Sequence, residues 1–292
     1  MDYKKIIKSR EFRLKLINCL RFMPTKPYLK MVYKIKTGKK LNIKKPAGFN
    51  EKLNWLKINE VHPEYTGYVD KINVHEIIKN QLEEDICFPM LGQWERYEDI
   101  DFSTLPSQFV LKCNHDSGSV KVIKDKSQID HKEFSKFFKS RLKLNPYTLG
   151  REYPYKKVKP KILAEKYMVP EGESDIEDYK FFCFNGEPKI MFVATDRSMD
   201  CKFDFFDMEF NHLDIENIHP QAGKEIKKPK MFEEMKEIAR RLSQGMRFVR
   251  IDLYEINGKI YFGEFTFFHG GGFWLFKPEQ WERRLGDWID LS

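Results

Sequence analysis

The chain has 292 residues, 41% hydrophobic and 15% aromatic, enough to bury a full core in one large domain or two to three intimate subdomains. No apolar run reaches the roughly 18 residues that a membrane span needs, and Met1-Asp2-Tyr3-Lys4-Lys5-Ile6-Ile7-Lys8 lacks the apolar centre of a secretory signal, so a cytoplasmic protein is expected. The net charge of +8 is uneven: residues 1–45 carry 15 Lys/Arg against Asp2 and Glu11, or +13, and the remaining 37 basic and 42 acidic side chains leave −5 elsewhere.

A basic arm over residues 1–45 suits an anionic membrane surface, here the inner face, or a polyanionic substrate. A solvated helix face accounts for it as well. No nucleic-acid module accompanies the charge, so nucleic acid is not an expected partner. Cys19, Cys87, Cys113, Cys183 and Cys201 are odd in number and never in CxxC spacing, which fits free thiols and argues against a disulfide or zinc framework.

In chain order, residues 3–22 have an imperfect helical period with Ile7, Leu14 and Ile17 on one face, and Pro24 and Pro27 read as turn signals. Lys34 to Pro46 reads as basic and extended, and Phe49 to Ile58 as a short helix. Asp70-Lys71 opens a helix with Val74, Ile77, Ile78 and Leu82 inward. Ile86 to Leu91 is a short apolar segment interrupted by Pro89. Gln108–Asn114 and Ser119–Lys124 are expected strands around the loop His115-Asp116-Ser117-Gly118, followed by a helix over Lys132–Leu144. Lys161–Met168 is a strand, Asp178–Ala194 a hairpin turning at Asn185-Gly186, and Cys201–Asp207 a further strand. Met231–Met246 is an amphipathic helix leading into a last hairpin, Phe248–Thr266. Strands and helices mix without βαβ alternation, which gives an α+β class with mainly antiparallel sheets.

The last hairpin places two acids, Asp252 and Glu264, in otherwise apolar strands, where a charge needs a partner. Register decides whether they cooperate. A two-residue Asn257-Gly258 turn sets Asp252 opposite Gly263 and the acids on opposite faces. A three-residue loop with Gly258 as a left-handed bulge pairs Glu255 with Lys259, Asp252 with Phe262 and Glu264 with Arg250. The carboxylates are then diagonal neighbours with Cβ atoms roughly 7–8 Å apart, able to converge on a divalent ion of the magnesium type. An acid pair held by Arg250 as a structural ion pair explains the same residues. Lys112 lies in the apolar strand Phe109-Val-Leu-Lys-Cys, where an ammonium calls for an anion such as a triphosphate, and the small residues Ser117 and Gly118 follow, able to turn N–H groups toward phosphate. Ile162 to Met168 ends an apolar strand in polar groups that could meet a purine edge. Asp178-Tyr179-Lys180 and Asp196-Arg197 bracket the next hairpin, with charges suited to ribose or a γ-phosphate or to plain surface pairs.

Each piece is ordinary; the ordered set is not. Lys71 after Asp70, Lys112 before a small-residue loop, Glu165-Lys166-Tyr167-Met168 and Asp252…Glu264-x-Thr266 together resemble the ATP-grasp superfamily. The match is to its TupA-like branch, met in bacterial surface-polysaccharide gene sets. Phe49-Asn-Glu-Lys-Leu-Asn-Trp55-Leu-Lys, Lys112-Cys-Asn-His-Asp-Ser-Gly, Asp178-Tyr-Lys-Phe-Phe-Cys-Phe-Asn-Gly and Phe262-Gly-Glu-Phe-Thr-Phe-Phe carry that resemblance over about residues 30–292.

The resemblance implies two α+β subdomains gripping ATP: a basic arm and helical lead-in over 1–62, then an ATP-grasp domain over 63–292, with a lid-like part at about 105–168 and a metal-binding part at 169–292. It implies that Lys71 and Lys112 contact phosphates under the Asn114–Ser119 loop, which includes Ser117 and Gly118. Glu165, Lys166, Tyr167 and Met168 would form the adenine hinge, with Asp178 and Lys180 also on the nucleotide. Asp252, Glu264 and Thr266 would hold magnesium, and Lys112, Arg197 and Arg250 would act in catalysis. The implied activity is an ADP-forming carboxylate–amine ligase working through an acyl-phosphate, on a uronic-acid-containing surface polysaccharide or its precursor. Two departures stand out: Asp116 where the branch usually has glycine, and Thr266 where the superfamily commonly has asparagine. The segment before Lys71 is also short for the separate N-terminal α/β domain of many such ligases.

Three other readings compete. A capsule glycosyltransferase would use Asp99-Ile100-Asp101 as its DxD motif, although the flanking Tyr97-Glu98 and Leu105-Pro106 favour a loop. A kinase-like phosphotransferase would use a hydroxyl acceptor. A degenerate nucleotide binder would bind without turnover.

Overall fold

The computed structural model describes residues 20–172, 175–196 and 200–292. Most of the helix expected over 3–22, and Arg197, lie outside the described residues. The first described helix, α1 (Thr25–Thr37), starts where turns were expected. Pro24 precedes it and Pro27 sits in its first turn, where a missing N–H costs nothing. Tyr28, Leu29 and Tyr33 are buried, while Lys30, Lys34 and Lys36 face solvent and hide the apolar stripe. The expected extended run from Lys34 therefore begins only at Gly38, whose φ of 75° closes the helix with its N–H on Lys34 O at 2.9 Å.

Five α-helices follow, three before the first sheet and two between its strands. α2 (Phe49–Asn59) is fastened at its start by Glu51, which accepts from the Ala47 and Gly48 amides at 2.9 and 3.3 Å. Next come α3 (Tyr65–Val69) and α4 (Val74–Leu82), which buries Val74 and Ile78 as expected. Strand β1 (Met90–Trp94) starts just past Pro89, so the apolar segment before it is a lead-in rather than the strand itself. After β2 (Phe109–Cys113) and β3 (Val120–Ile123), α5 (His131–Leu142) is capped by Asp130, which accepts from Glu133 N at 2.9 Å. A short α6 (Pro146–Gly150) leads toward β4 (Ile162–Lys166).

Strands β1 to β4 form an antiparallel sheet in the order β1-β4-β2-β3. Phe109, Leu111 and Cys113 of β2 and Ile162 and Ala164 of β4 pack with Phe138 of α5 in one apolar cluster. The alternate positions, Val110 and Lys112 against Leu163 and Glu165, share the other face.

The second sheet is built from β5 (Asp178–Phe184), β6 (Glu187–Thr195), β7 (Lys202–Asp207), β8 (His212–Leu213), β9 (Phe248–Ile256) and β10 (Lys259–Thr266), in the antiparallel order β10-β9-β5-β6-β7-β8. Between β8 and β9 runs α7 (Phe232–Leu242), whose Met235, Ile238, Ala239 and Leu242 join Phe181, Cys183, Val193, Ile251 and Leu253 in the core on one face. Phe182, Phe184, Phe192, Phe205 and Phe248 point the opposite way, into Phe49 and Leu53 of α2 and Leu285 of α8 (Glu279–Asp287). Along β5 and β9 this second face changes character abruptly. Phe182 gives way to Lys180 and Asp178, and Phe248 to Arg250 and Asp252.

The last hairpin corrects the expected register. Asn257 and Gly258, at φ 49° and 73°, make a two-residue turn with Ile256 opposite Lys259, not a three-residue loop. A bulge at Gly263 then absorbs one residue, so that Phe262 faces Leu253 and Glu264 faces Asp252. The two acids share a face, as direct rather than diagonal neighbours. A Cβ on Gly263 would lie 2.7 Å from the Tyr254 ring and 3.1 Å from Asp252 O, so the bulge depends on glycine.

Candidate active site

On the charged part of the large sheet, Lys180 of β5, Asp252 of β9 and Glu264 of β10 lie side by side in one cross-strand row. The neighbouring row holds Phe182, Arg250 and Thr266. Arg250 forks onto Asp252, Nε to Oδ1 at 2.6 Å and NH2 to Oδ2 at 2.7 Å, and reaches Glu264 Oε1 at 3.1 Å. Lys180 Nζ is paired with Asp252 and with Asp178 Oδ2, the latter at 2.6 Å. Tyr254 OH donates to the same Asp178 oxygen at 3.2 Å, and Thr266 Oγ1 donates to Glu264 Oε1 at 3.2 Å.

Asp252 is 1% exposed. Burial alone would raise its carboxyl pKa, but the Arg250 and Lys180 charges outweigh that and hold it below the usual range. Glu264 differs, with its side chain 34% exposed. Arg250 also donates through NH1 to His269 Nδ1 at 2.9 Å, and burial and that guanidinium hold the imidazole pKa well below its ordinary value. A neutral ring accepting at Nδ1 donates at Nε2, which meets Asn217 Oδ1 at 3.1 Å.

On the small sheet, Lys112 and Glu165 are diagonal neighbours and pair at 2.6 Å, with side chains 14% and 9% exposed. The loop after Lys112 keeps Asn114, His115, Asp116 and Ser119 buried and Ser117 and Gly118 exposed at its tip, Gly118 at φ 88°. The Asp116 side chain points inward, hydrogen-bonded to the Ser119 hydroxyl, and its main-chain oxygen accepts from Lys71 Nζ at 2.6 Å. Asn114 ties the loop to the helix lead-in, accepting from Lys71 N at 3.2 Å and donating to Asp70 Oδ1 at 2.9 Å. Past Glu165, the Lys166 amide is taken by Pro89 O at 2.9 Å, and the Lys166 side chain is exposed while Tyr167 and Met168 are half-buried.

Lys71 joins the two sheets electrostatically. Burial lowers its pKa, and its ammonium feels the Glu264 carboxylate, the Lys112 ammonium, and the Asp116 and Glu165 carboxylates. The expected residues Lys71, Lys112, Glu165, Arg250 and Glu264 therefore surround one region, with Asp252, Lys180, Asp178 and Thr266 in the sheet beneath. Ser117, Gly118 and Lys166 lie at its exposed edge. Asp99 and Asp101 do not belong to it. Asp99 is bound by Arg96 Nε at 3.0 Å and Asp101 caps a short turn, accepting from Ser103 N at 2.9 Å, so the DxD letters are local turn chemistry.

Several residues escaped the sequence reading. His269 opens a run of three glycines, Gly270 to Gly272, with φ of 58°, 65° and 70°, directly after β10. A polar residue leading glycines just beyond an acid-bearing strand was the available signal. Tyr155 is pushed well up by burial and by the Glu152 and Glu264 carboxylates. Lys57 of α2 donates to Gly150 O and Gly271 O at 2.8 and 2.6 Å, and burial lowers its pKa to about 8.

Comparison with curated proteins finds no match. Among solved structures, D-alanine–D-alanine ligase from Bacillus anthracis complexed with ATP is 14% identical at a TM-score of 0.41, over 84% of this chain and 71% of that one. Another structure of the Bacillus anthracis ligase is 17% identical at 0.37, over 68% and 56%. The ATP-grasp ligase PsnB complexed with minimal precursor is 10% identical at 0.39, over 70% and 54%. The chain thus spans little more than half the length of two of these three structures. Identity this low leaves substrate chemistry outside the likeness. The sequence model described as TupA-like ATPgrasp matches residues 51–290, most of the chain. The chain belongs to the TupA-like ATP-grasp family.

Proposed function

We propose that the protein couples ATP cleavage to amide formation between a carboxylate and an amine, through an acyl-phosphate, on a uronic-acid-containing surface polysaccharide or its precursor. The observation that carries the ligase chemistry is the row of Lys180, Asp252 and Glu264 across the large sheet, bound by Arg250 and Thr266, beside the Lys112–Glu165 pair of the small one. The polysaccharide part rests on the family resemblance alone.

In this reading the part at about 105–168 forms the lid and 169–292 the floor. Lys71 and Lys112 bind phosphates, Ser117 and Gly118 close over them, and Glu165 to Met168 border the adenine. Asp178 and Lys180 orient the nucleotide. The donors Asp252, Glu264 and Thr266 are all oxygen, which suits magnesium held together with phosphates. Glu264 is partly open to receive an ion, whereas Asp252 is engaged by Arg250 and Lys180. Phosphates would draw those cations, freeing carboxylate oxygens for the metal. Magnesium would offset charge on the transferring phosphoryl group.

A carboxylate oxygen of the acceptor attacks the γ-phosphorus, and the bond to ADP breaks. The amine then attacks the acyl carbon, and phosphate leaves with the amine's proton passing to solvent or to a nearby base. Arg250 stabilises the transferring group, a role shared with Arg197 in this proposal. Residues 1–45 would meet an anionic membrane face or the polyanionic acceptor. No helix among the described residues is long and apolar enough to cross a membrane.

The test is release of ADP and phosphate with uronic-acid acceptors and amines. Release that requires both partners supports the ligase; phosphate retained on a hydroxyl product, or hydrolysis of a nucleotide sugar with ATP ignored, replaces it.

A further inference from the structure

Outside the proposed nucleotide site, three side chains of mixed chemistry converge where α4 passes toward β1. His75 lies in the first turn of α4, and Asp85 and Cys87 follow the helix. One donor atom from each lies within 4.8 Å of the other two. His75 Nδ1 and Asp85 Oδ2 are 3.0 Å apart, and Asp85 Oδ1 accepts from Cys87 N at 3.0 Å, fixing the turn that presents both side chains. Cys87 is buried, the His75 side chain is 17% exposed and that of Asp85 41%, so the group has a closed floor and an open mouth.

We propose that His75, Asp85 and Cys87 form a binding site for a thiophilic divalent cation of the zinc class, with water as a fourth ligand. Imidazole, carboxylate and thiolate are the zinc donor types, with bonds of about 2.0–2.3 Å. Tetrahedral geometry then sets donors about 3.4 Å apart, close to the observed His75–Asp85 separation and a small movement from the widest limit of 4.8 Å. The donor set distinguishes this place from the oxygen-only group of Asp252, Glu264 and Thr266, because sulfur and imidazole select against magnesium. Coordination would send the Cys87 thiol proton to solvent and leave His75 protonated at Nε2, with Nδ1 bare to bind the ion. Sequence spacing hid the group: Asp85-x-Cys87 becomes a site only when the turn after α4 folds back on His75.

Its position gives it a consequence. Phe262 N donates to Ile86 O at 2.8 Å, and Cys87 bridges to Phe262, two residues before Glu264. The lead-in to the same α4 carries Lys71. A bound ion would clamp together the segments that carry Lys71 and Glu264, and so raise thermal stability without nucleotide.

Cobalt titration of the metal-stripped full chain, without ATP, tests this directly. A thiolate-to-cobalt charge-transfer band saturating at one ion per chain is expected, bleached by zinc and untouched by excess magnesium. The band should be lost in Cys87→Ser and kept in Cys201→Ser. Should Cys87→Ser fail to fold, His75→Ala, at a half-buried position, should lose or weaken saturable binding. No band in the unmodified chain, a band surviving Cys87→Ser, or unchanged saturation in His75→Ala overturns the proposal.

Discussion

The two sheets handle buried cations differently. On the four-stranded sheet Lys112 pairs one-to-one with Glu165 among the described residues, both side chains largely buried. On the six-stranded sheet Lys180 and Arg250 share Asp178, Asp252 and Glu264, so Asp252 is engaged by two cations at once. A lone pair can release its lysine to an incoming anion by freeing one carboxylate. A shared network holds its geometry when one contact is lent elsewhere.

The largest effect should come from breaking the network at its centre. Arg250→Met should cost about 3–5 kcal/mol of unfolding free energy in urea, because Asp252 and His269 both lose a partner. A cost like that of a surface substitution would mean the network is not the structural floor. Lys57 sharpens the contrast, since its ammonium hydrogen-bonds the Gly150 and Gly271 carbonyls while the Glu152 carboxylate acts on it through charge. Burial lowers its pKa from 10.5 to about 8, so between those values the unfolded chain binds more protons than the folded one. Stability should therefore rise as pH climbs through that window, by at most about 3 kcal/mol, and the rise should vanish in Lys57→Met.

Gly263→Ala probes the bulge that aligns the two acids. It should cost about 2 kcal/mol and impair turnover more than ATP binding, as measured by chemical denaturation and ADP release. An unaffected enzyme would show that the bulge does not set the Glu264 position. Lys112→Ala should cost less stability than Arg250→Met, because the Lys71 ammonium still acts on Glu165, yet weaken ATP binding at least tenfold by calorimetry. If it costs as much stability as Arg250→Met, the pair and the network do not differ in kind.

Much of this arrangement was legible in the sequence because it is local. Alternation in Phe109–Cys113 and Phe248–Ile256 marks two-faced strands, and a charge within each marks a position that needs a partner. The turn at Asn257-Gly258 was legible too, but the bulge five residues later was not, since a lone Gly263 permits a bulge without dictating one. The helix over Thr25–Thr37 was obscured by prolines that mark helix starts as readily as turns. His269, Tyr155 and Lys57 were missed because their partners, Arg250, Glu264 and Gly271, come from distant chain segments or neighbouring elements that only the packed fold brings together.

The most direct test is the unfolding temperature of the full chain with ATP, with magnesium, and with both. In the proposed reading, the Lys112, Lys180 and Arg250 cations and the carboxylates they hold exchange partners only when polyanion and divalent ion arrive together. Each alone should therefore shift the transition little, and the two at a hundred times their dissociation constant should add about 2.7 kcal/mol, a rise of several degrees. A transition unmoved by the pair would contradict a shared nucleotide and metal site between the two sheets.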